Sequence, residues 1–179
     1  LKPVSFCRNL TLETTFLLPG GSILRKFQNG NFTDGTYQYA IHPSDAGMPQ
    51  PLTGGNIVSL ARQYHFSPYL WGGKSALGID CSGLVQVVFS LCGVLLPRNA
   101  SQQAEIGEKI NSLTQAEAGD LAFFANSAHH IVHVGILMNS HQIIHASGWV
   151  KIENIDEHGI ISEQTGNYSH TLYSIKRMI

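Results

Sequence analysis

One cysteine of the sequence stands between two polar residues, Asp80-Cys81-Ser82, immediately ahead of the apolar run GLVQVVF. A thiol can pack as a small hydrophobe, ligate a metal, or attack a carbonyl carbon as a thiolate. Cys92, at the end of the apolar run, and Cys7 fit the first of these uses. Cys81 differs by position, because a helix begun after Asp80 would place it in the first turn. Unpaired backbone N–H groups and the positive end of the helix dipole there favour a thiolate and can hold an oxyanion.

A nucleophilic thiol needs a base, and the chain has nine histidines. His133 lies in IVHVGILM and His145 in QIIHAS, two apolar segments joined by Asn139-Ser140-His141. On an antiparallel hairpin the two share a face only if paired residue numbers add to an even value, as when Met138 opposes Gln142 across a three-residue loop. A two-residue loop sends them to opposite faces. Two unpaired imidazoles on an apolar face would cost about 1–3 kcal/mol each, so they need partners. A base and an orienter meet that need, with His133 towards the thiol and His145 fixing its tautomer. A pair of structural histidines bonded to each other meets it too. Zinc is the rival chemistry, with His129, His130 and His133 in HHIVH and His141, His145 and Cys81 as further donors. The spacing is poor: in a strand His130 and His133 point to opposite faces, no CxxC or HEXXH occurs, and His129 and His130 are expected in an exposed loop. No metal site is expected.

Several elements must position these groups. NIVSLARQYHF reads as a short amphipathic helix capped by Thr53 or Asn56, and residues 81–92 as a helix capped by Asp80 and ended by Gly93. Apolar side chains go most of the way round the second helix, which is therefore expected to be central and buried. Ser101 is expected to cap a further short helix. After Gly119-Asp120 the segments LAFFA, IVHVGILM and QIIHAS, and the tail TLYSIKRMI, read as strands. Helices followed by a mostly antiparallel sheet indicate an α+β domain. Upstream, TTFLL, SILRKF, FT and TYQYAI, punctuated by turn residues, read as a small β meander over 14–41 within a segment 1–45, and 46–55 as a linker rich in proline and glycine. A chain beginning at Leu1 carries the expectation of an upstream piece already removed, a leader among the possibilities.

Composition sets limits on partners. The 179 residues are 43% hydrophobic, and 11 basic residues meet 12 acidic ones with no cluster of either sign. Nothing in this marks a nucleic-acid or membrane-surface binder. The longest apolar run is interrupted and falls short of the roughly 20 residues of a bilayer span.

The stretches PYLWGG, GIDCSGLVQVVF, LPRNASQQ, AGDLAFF, HVGILM and IIHAS, in that order over residues 68–147, resemble the NlpC-type bacterial cysteine peptidases. The resemblance implies a papain-like fold over 56–179, preceded by part of a bacterial SH3-like β segment, and an enzyme that cuts peptidoglycan stem peptides. It implies that Cys81 is the nucleophile, His133 the base and His145 the orienting residue, with Tyr69 lining the site. By the same resemblance Asp80 and Ser82, with Ser101, would contact the free amine of an N-terminal L-alanine. The implied substrate is L-Ala-γ-D-Glu-diamino acid, cut after γ-D-glutamate without a cofactor by a monomer acting in the periplasm or outside the cell, the cytoplasm being an alternative. An inactive peptidoglycan-binding module and an acyltransferase of the same fold are the other readings.

Overall fold

The computed structural model describes residues 2–178; residues 1 and 179, the outer ends of the two segments expected above, lie outside the described residues. The contacts divide the chain into two units, 1–49 and 50–179.

In the first unit β1 (Val4–Asn9), β2 (Thr14–Pro19), β3 (Asn31–Thr33) and β4 (Gln38–Ile41) form an antiparallel sheet in the order β2-β1-β4-β3. Cys7 is fully buried beside Phe32 and Ile41 in its small core, packed as a hydrophobe. Two expectations need correction. SILRKF forms no strand, because Lys26 takes a left-handed φ of 53° in a turn. β1, unforeseen, is an inner strand paired with both β2 and β4.

The second unit opens with α1 (Gly54–Arg62), whose N-cap Thr53 accepts the Asn56 N–H at 3.3 Å. The short pair β5 (Lys74–Ser75) and β6 (Gly78–Ile79) leads into α2 (Cys81–Ser90). α2 is buried nearly all round and packs against α1 and the sheet. Its last turn closes on Gly93, at φ 82°. α3 (Ala100–Gln103) is capped by Asn99 rather than Ser101. The Asn99 N–H reaches Gln102 Oε1, the half of a capping box that Ser101, one residue inside the helix, cannot form.

The sheet comprises β7 (Glu108–Ile110), β8 (Leu121–Ala125), β9 (Ile131–Leu137), β10 (Gln142–Ser147), β11 (Trp149–Asp156), β12 (Gly159–Ile161) and β13 (Tyr168–Arg177). Its order is β12-β11-β10-β9-β8-β13-β7, and β12 also pairs with β13, which closes six antiparallel strands into a ring. Phe124, Leu137, Ile143, Ile155 and Ile175 belong to one core of this unit. Helices followed by an antiparallel sheet are the expected α+β order. Strands β7, β11 and β12 were not expected, being short or, like WVKIENID, loaded with charge.

Candidate active site

Cys81 sits where the sequence suggested, on the first turn of α2. Asp80 is the N-cap: its Oδ1 accepts the Gly83 N–H at 2.7 Å, and Leu84 N–H makes the first helical bond to Asp80 O. The amides of Cys81 and Ser82 are thereby left free of helical partners and lie against the sulphur. A third amide comes from the sheet. Leu137 N–H points to Asp120 on the β8 side and Met138 N–H to Gln142 on the β10 side, so by alternation Val134 N–H points to the β10 side. The β9–β10 pairing stops at Gly135 and His145, and the Val134 amide lies near the Cys81 sulphur, where it favours the thiolate. The N-terminus of α2 therefore meets the sheet where these two strands part, one residue from His133.

The hairpin register is the even one. Ile143 pairs with Leu137 and His145 with Gly135, across the loop Asn139-Ser140-His141. His133 and His145 thus share a face, and His133 Nε2 lies 2.9 Å from His145 Nδ1. Both are buried, His145 completely. The residue opposite His145 has to be small. A Cβ on Gly135 would stand 2.9 Å from His145 Cβ and 2.6 Å from Ile143 Cδ1.

The chain of contacts continues to a residue the sequence reading missed. His145 Nε2 lies 2.9 Å from Glu153 Oε2, while Glu153 Oε1 accepts the Glu163 N–H at 3.1 Å and faces Lys151 Nζ at 3.3 Å. Glu153 is only 2% exposed. Its signal lay in Gly148. That glycine, at φ 77°, joins β10 to β11 with Ser147 opposite Trp149, and this register sets His145 opposite Lys151 and Ile143 opposite Glu153. His170, on β13, stacks on His133 with ring centroids 4.1 Å apart.

Burial dominates the charges here. It pushes the Cys81 thiol up, against the pull of the Val134, Ser82 and Cys81 amides, and the Asp80 carboxylate adds to the rise. Burial likewise holds His133 well below its usual range, helped by the neighbouring His145, His170 and Lys151. His145 is lowered by burial against the opposing effect of Glu153, and His170 is lowered by burial to about 4. Burial raises Glu153, but its bonds to His145 and the Glu163 amide outweigh this and bring the carboxyl to about 2. At neutral pH the site therefore contains a neutral thiol, neutral imidazoles and two ionised carboxylates, Asp80 beside the thiol and Glu153 behind the histidines.

The donor atoms of His133, His145 and His170 lie within 4.8 Å of one another, close enough to consider one ion. Two features fit a metal poorly: His133 and His145 spend facing nitrogens on each other, and His170 stacks on His133 instead of converging with it. His129 and His130 lie exposed before β9, and His141 in the hairpin loop.

The remaining expected residues divide. Tyr69 is half-buried; burial raises its hydroxyl, as do the nearby Cys81 and Asp80, with Arg98 opposing. Asp80 is 5% exposed and already satisfied. Its Oδ1 accepts from Gly83, Ser82 Oγ (3.3 Å) and Arg98 Nη1 (2.9 Å), and its Oδ2 from Gly72 N–H (2.7 Å) and Arg98 Nη2. Arg98 Nη1 also donates to Ser82 Oγ at 2.8 Å. An open carboxylate for a substrate amine does not match this arrangement. Ser101 is exposed, and no hydrogen bond among the described residues ties its hydroxyl to the cluster. Gln103, from the same helix, turns inward and donates to Ser82 O at 3.2 Å.

Compared with known proteins, residues 66–169 match the model of the NlpC/P60 family. The Gamma-DL-glutamyl hydrolase of Bacillus subtilis (strain 168) is 34% identical over 139 residues, which are 74% of this chain and 32% of that protein. The Gamma-D-glutamyl-L-lysine dipeptidyl-peptidase of the same organism is 35% identical over 126 residues, 66% of this chain and 42% of that protein. The chain thus spans about a third to two fifths of the length of these curated relatives. A solved NlpC/P60 family protein from Bacillus cereus ATCC 10987 has the same fold, with a TM-score of 0.77 at 19% identity, covering 98% of this chain and 61% of that one.

Proposed function

The chain belongs to the NlpC/P60 family, and from that premise we propose that it is a cysteine peptidase hydrolysing the bond between γ-D-glutamate and the diamino acid of peptidoglycan stem peptides. The observation that carries the reading is the placement of a thiol on the first turn of α2 beside Val134, the neighbour of His133, which heads a bonded His133–His145–Glu153 chain. The names of the two Bacillus subtilis relatives, both glutamyl-bond hydrolases, support the choice of bond.

His133 spends Nε2 on His145, so Nδ1 is the nitrogen left to act as base. It takes the Cys81 proton as Sγ attacks the γ-carbonyl carbon, and the oxyanion is met by the free amides of the α2 first turn with Tyr69 beside them. The proton then passes to the leaving amine, the C–N bond breaks, and a thioester remains. Water, deprotonated by the same nitrogen, releases the γ-carboxylate and restores the thiol.

Asp80, committed to Arg98, is a cap and a loop anchor in this reading, with Ser82 between the two. Any preference for a free L-alanine amine is then carried by other groups, Ser101 being one that remains exposed. Residues 1–49, an antiparallel sheet with its own small core, are read as an SH3-like module, and the site of action as the bacterial cell wall.

The test is release of diaminopimelate from L-Ala-γ-D-Glu-diaminopimelate. Cys81→Ala should abolish it, and turnover persisting in that variant removes the nucleophile. Replacing the substrate by its N-acylated form measures the preference for a free amine, and Ser101→Ala should reduce any such preference to about threefold or less in kcat/KM. A loss of about a hundredfold or more on N-acylation that persists in Ser101→Ala returns Asp80 to the amine site.

A further inference from the structure

We propose that Glu153 is a positioning residue that sets, through His145, which nitrogen of His133 carries the proton. The proposal rests on the reading of His133 as the base, and it concerns what makes that base competent.

An ionised carboxylate has no proton to give, so the hydrogen between Glu153 Oε2 and His145 Nε2 belongs to the imidazole. A neutral imidazole has one N–H, which leaves His145 Nδ1 as an acceptor. Across the 2.9 Å contact the donor must then be His133 Nε2. His133 is itself neutral, so its Nδ1 is bare. One buried charge thus excludes the other arrangement, in which His133 would carry its proton on Nδ1 and have no lone pair to offer a thiol. The carboxylate is well held for this work. Lys151 and the Glu163 amide engage its other oxygen, and strand register aims it from β11 at His145 on the neighbouring strand. A purely structural acid, present to anchor Lys151 and the 163 turn, has no need of a full-strength bond to the histidine behind the base.

Nitrogen-15 NMR of the imidazoles in the wild-type protein at pH 7–8 reads the tautomers directly. Both His145 and His133 are expected as Nε2–H; a His133 protonated on Nδ1 overturns the proposal with no variant needed. In Glu153→Gln one amide oxygen must serve two donors, His145 Nε2–H and Glu163 N–H. With the oxygen kept by Glu163, the NH2 group faces His145 and reverses the whole chain. The expected result is His133 protonated on Nδ1, with kcat lowered by about 10²–10⁴-fold and KM little changed. Glu153→Asp, which keeps the charge, should retain the wild-type tautomers. A Glu153→Gln protein with wild-type tautomers overturns the proposal whether kcat falls or not, since any loss would then come from packing. Failure of the base assignment itself is separate: it would show as turnover surviving in His133→Gln, whatever the tautomers are.

Discussion

Gly135→Ala isolates the geometry of the histidine pair from its chemistry, because it changes no ionisable group. The glycine has an ordinary backbone conformation, so only space resists the methyl. Of the atoms it would meet, Ile143 Cδ1 at 2.6 Å is the end of a flexible side chain and can turn away. His145 Cβ at 2.9 Å cannot, being fixed to the β10 backbone. Relief to ordinary contact of about 3.4 Å requires β10 to retreat by about 0.5 Å at His145, and overpacking of this kind costs about 1–3 kcal/mol. The same retreat would stretch the His133–His145 bond from 2.9 Å to about 3.4 Å, beyond useful hydrogen bonding. The urea midpoint should therefore fall, and in protein still folded kcat should drop about tenfold or more, with KM changed less than about threefold. A variant that loses stability but keeps kcat within about twofold would refute the claim that the strand spacing tunes the pair.

Other outcomes follow from the charges. His133 and His145 have folded pKa values below the ordinary 6.5, and Glu153 lies at about 2 against 4.5. In each case the unfolded chain binds more protons than the folded one as acid is added, so the urea midpoint should hold from pH 7 to 8. It should fall from about pH 6.5 through the histidines and continue downward below 4.5 through Glu153, whereas a flat midpoint between pH 7 and 5 would contradict the burial argument. With Cys81 raised and His133 lowered, inactivation by iodoacetamide should accelerate steadily from pH 6 to 9; a rate already at its plateau by pH 6 would reveal a preformed ion pair. Arg98→Met leaves the Asp80 charge with backbone and Ser82 donors only, and should lower stability by about 1–3 kcal/mol, less than for a wholly buried pair because Arg98 is partly exposed. A midpoint unchanged in that variant would mean that the amides alone satisfy Asp80.

Local physics wrote several parts of this protein into its sequence. A polar cap before an apolar run specifies a buried helix with a cysteine on its first turn, and any chain with Asp80 there would cap it the same way. Two strands around a three-residue loop fix the parity that places His133 and His145 on one face. The cap and helix depend on neighbours a few residues away and were legible, whereas the loop length that sets the histidine parity stayed open between two and three residues until the β9–β10 register decided it. The rest depended on closure of the sheet. Glu153 became the partner of His145 only through the β10–β11 register, and as an acid in a charged segment it resembled a solvent-facing residue. His170 reaches His133 because β13 returns to pair with β8 and β12. Arg98 takes up the Asp80 carboxylate from a loop 18 residues away, a pairing that no pattern along the chain announces. The neutral state of thiol and imidazoles is likewise a tertiary result. Desolvation comes from the whole fold packed around the groups, and no count of neighbours along the chain contains it.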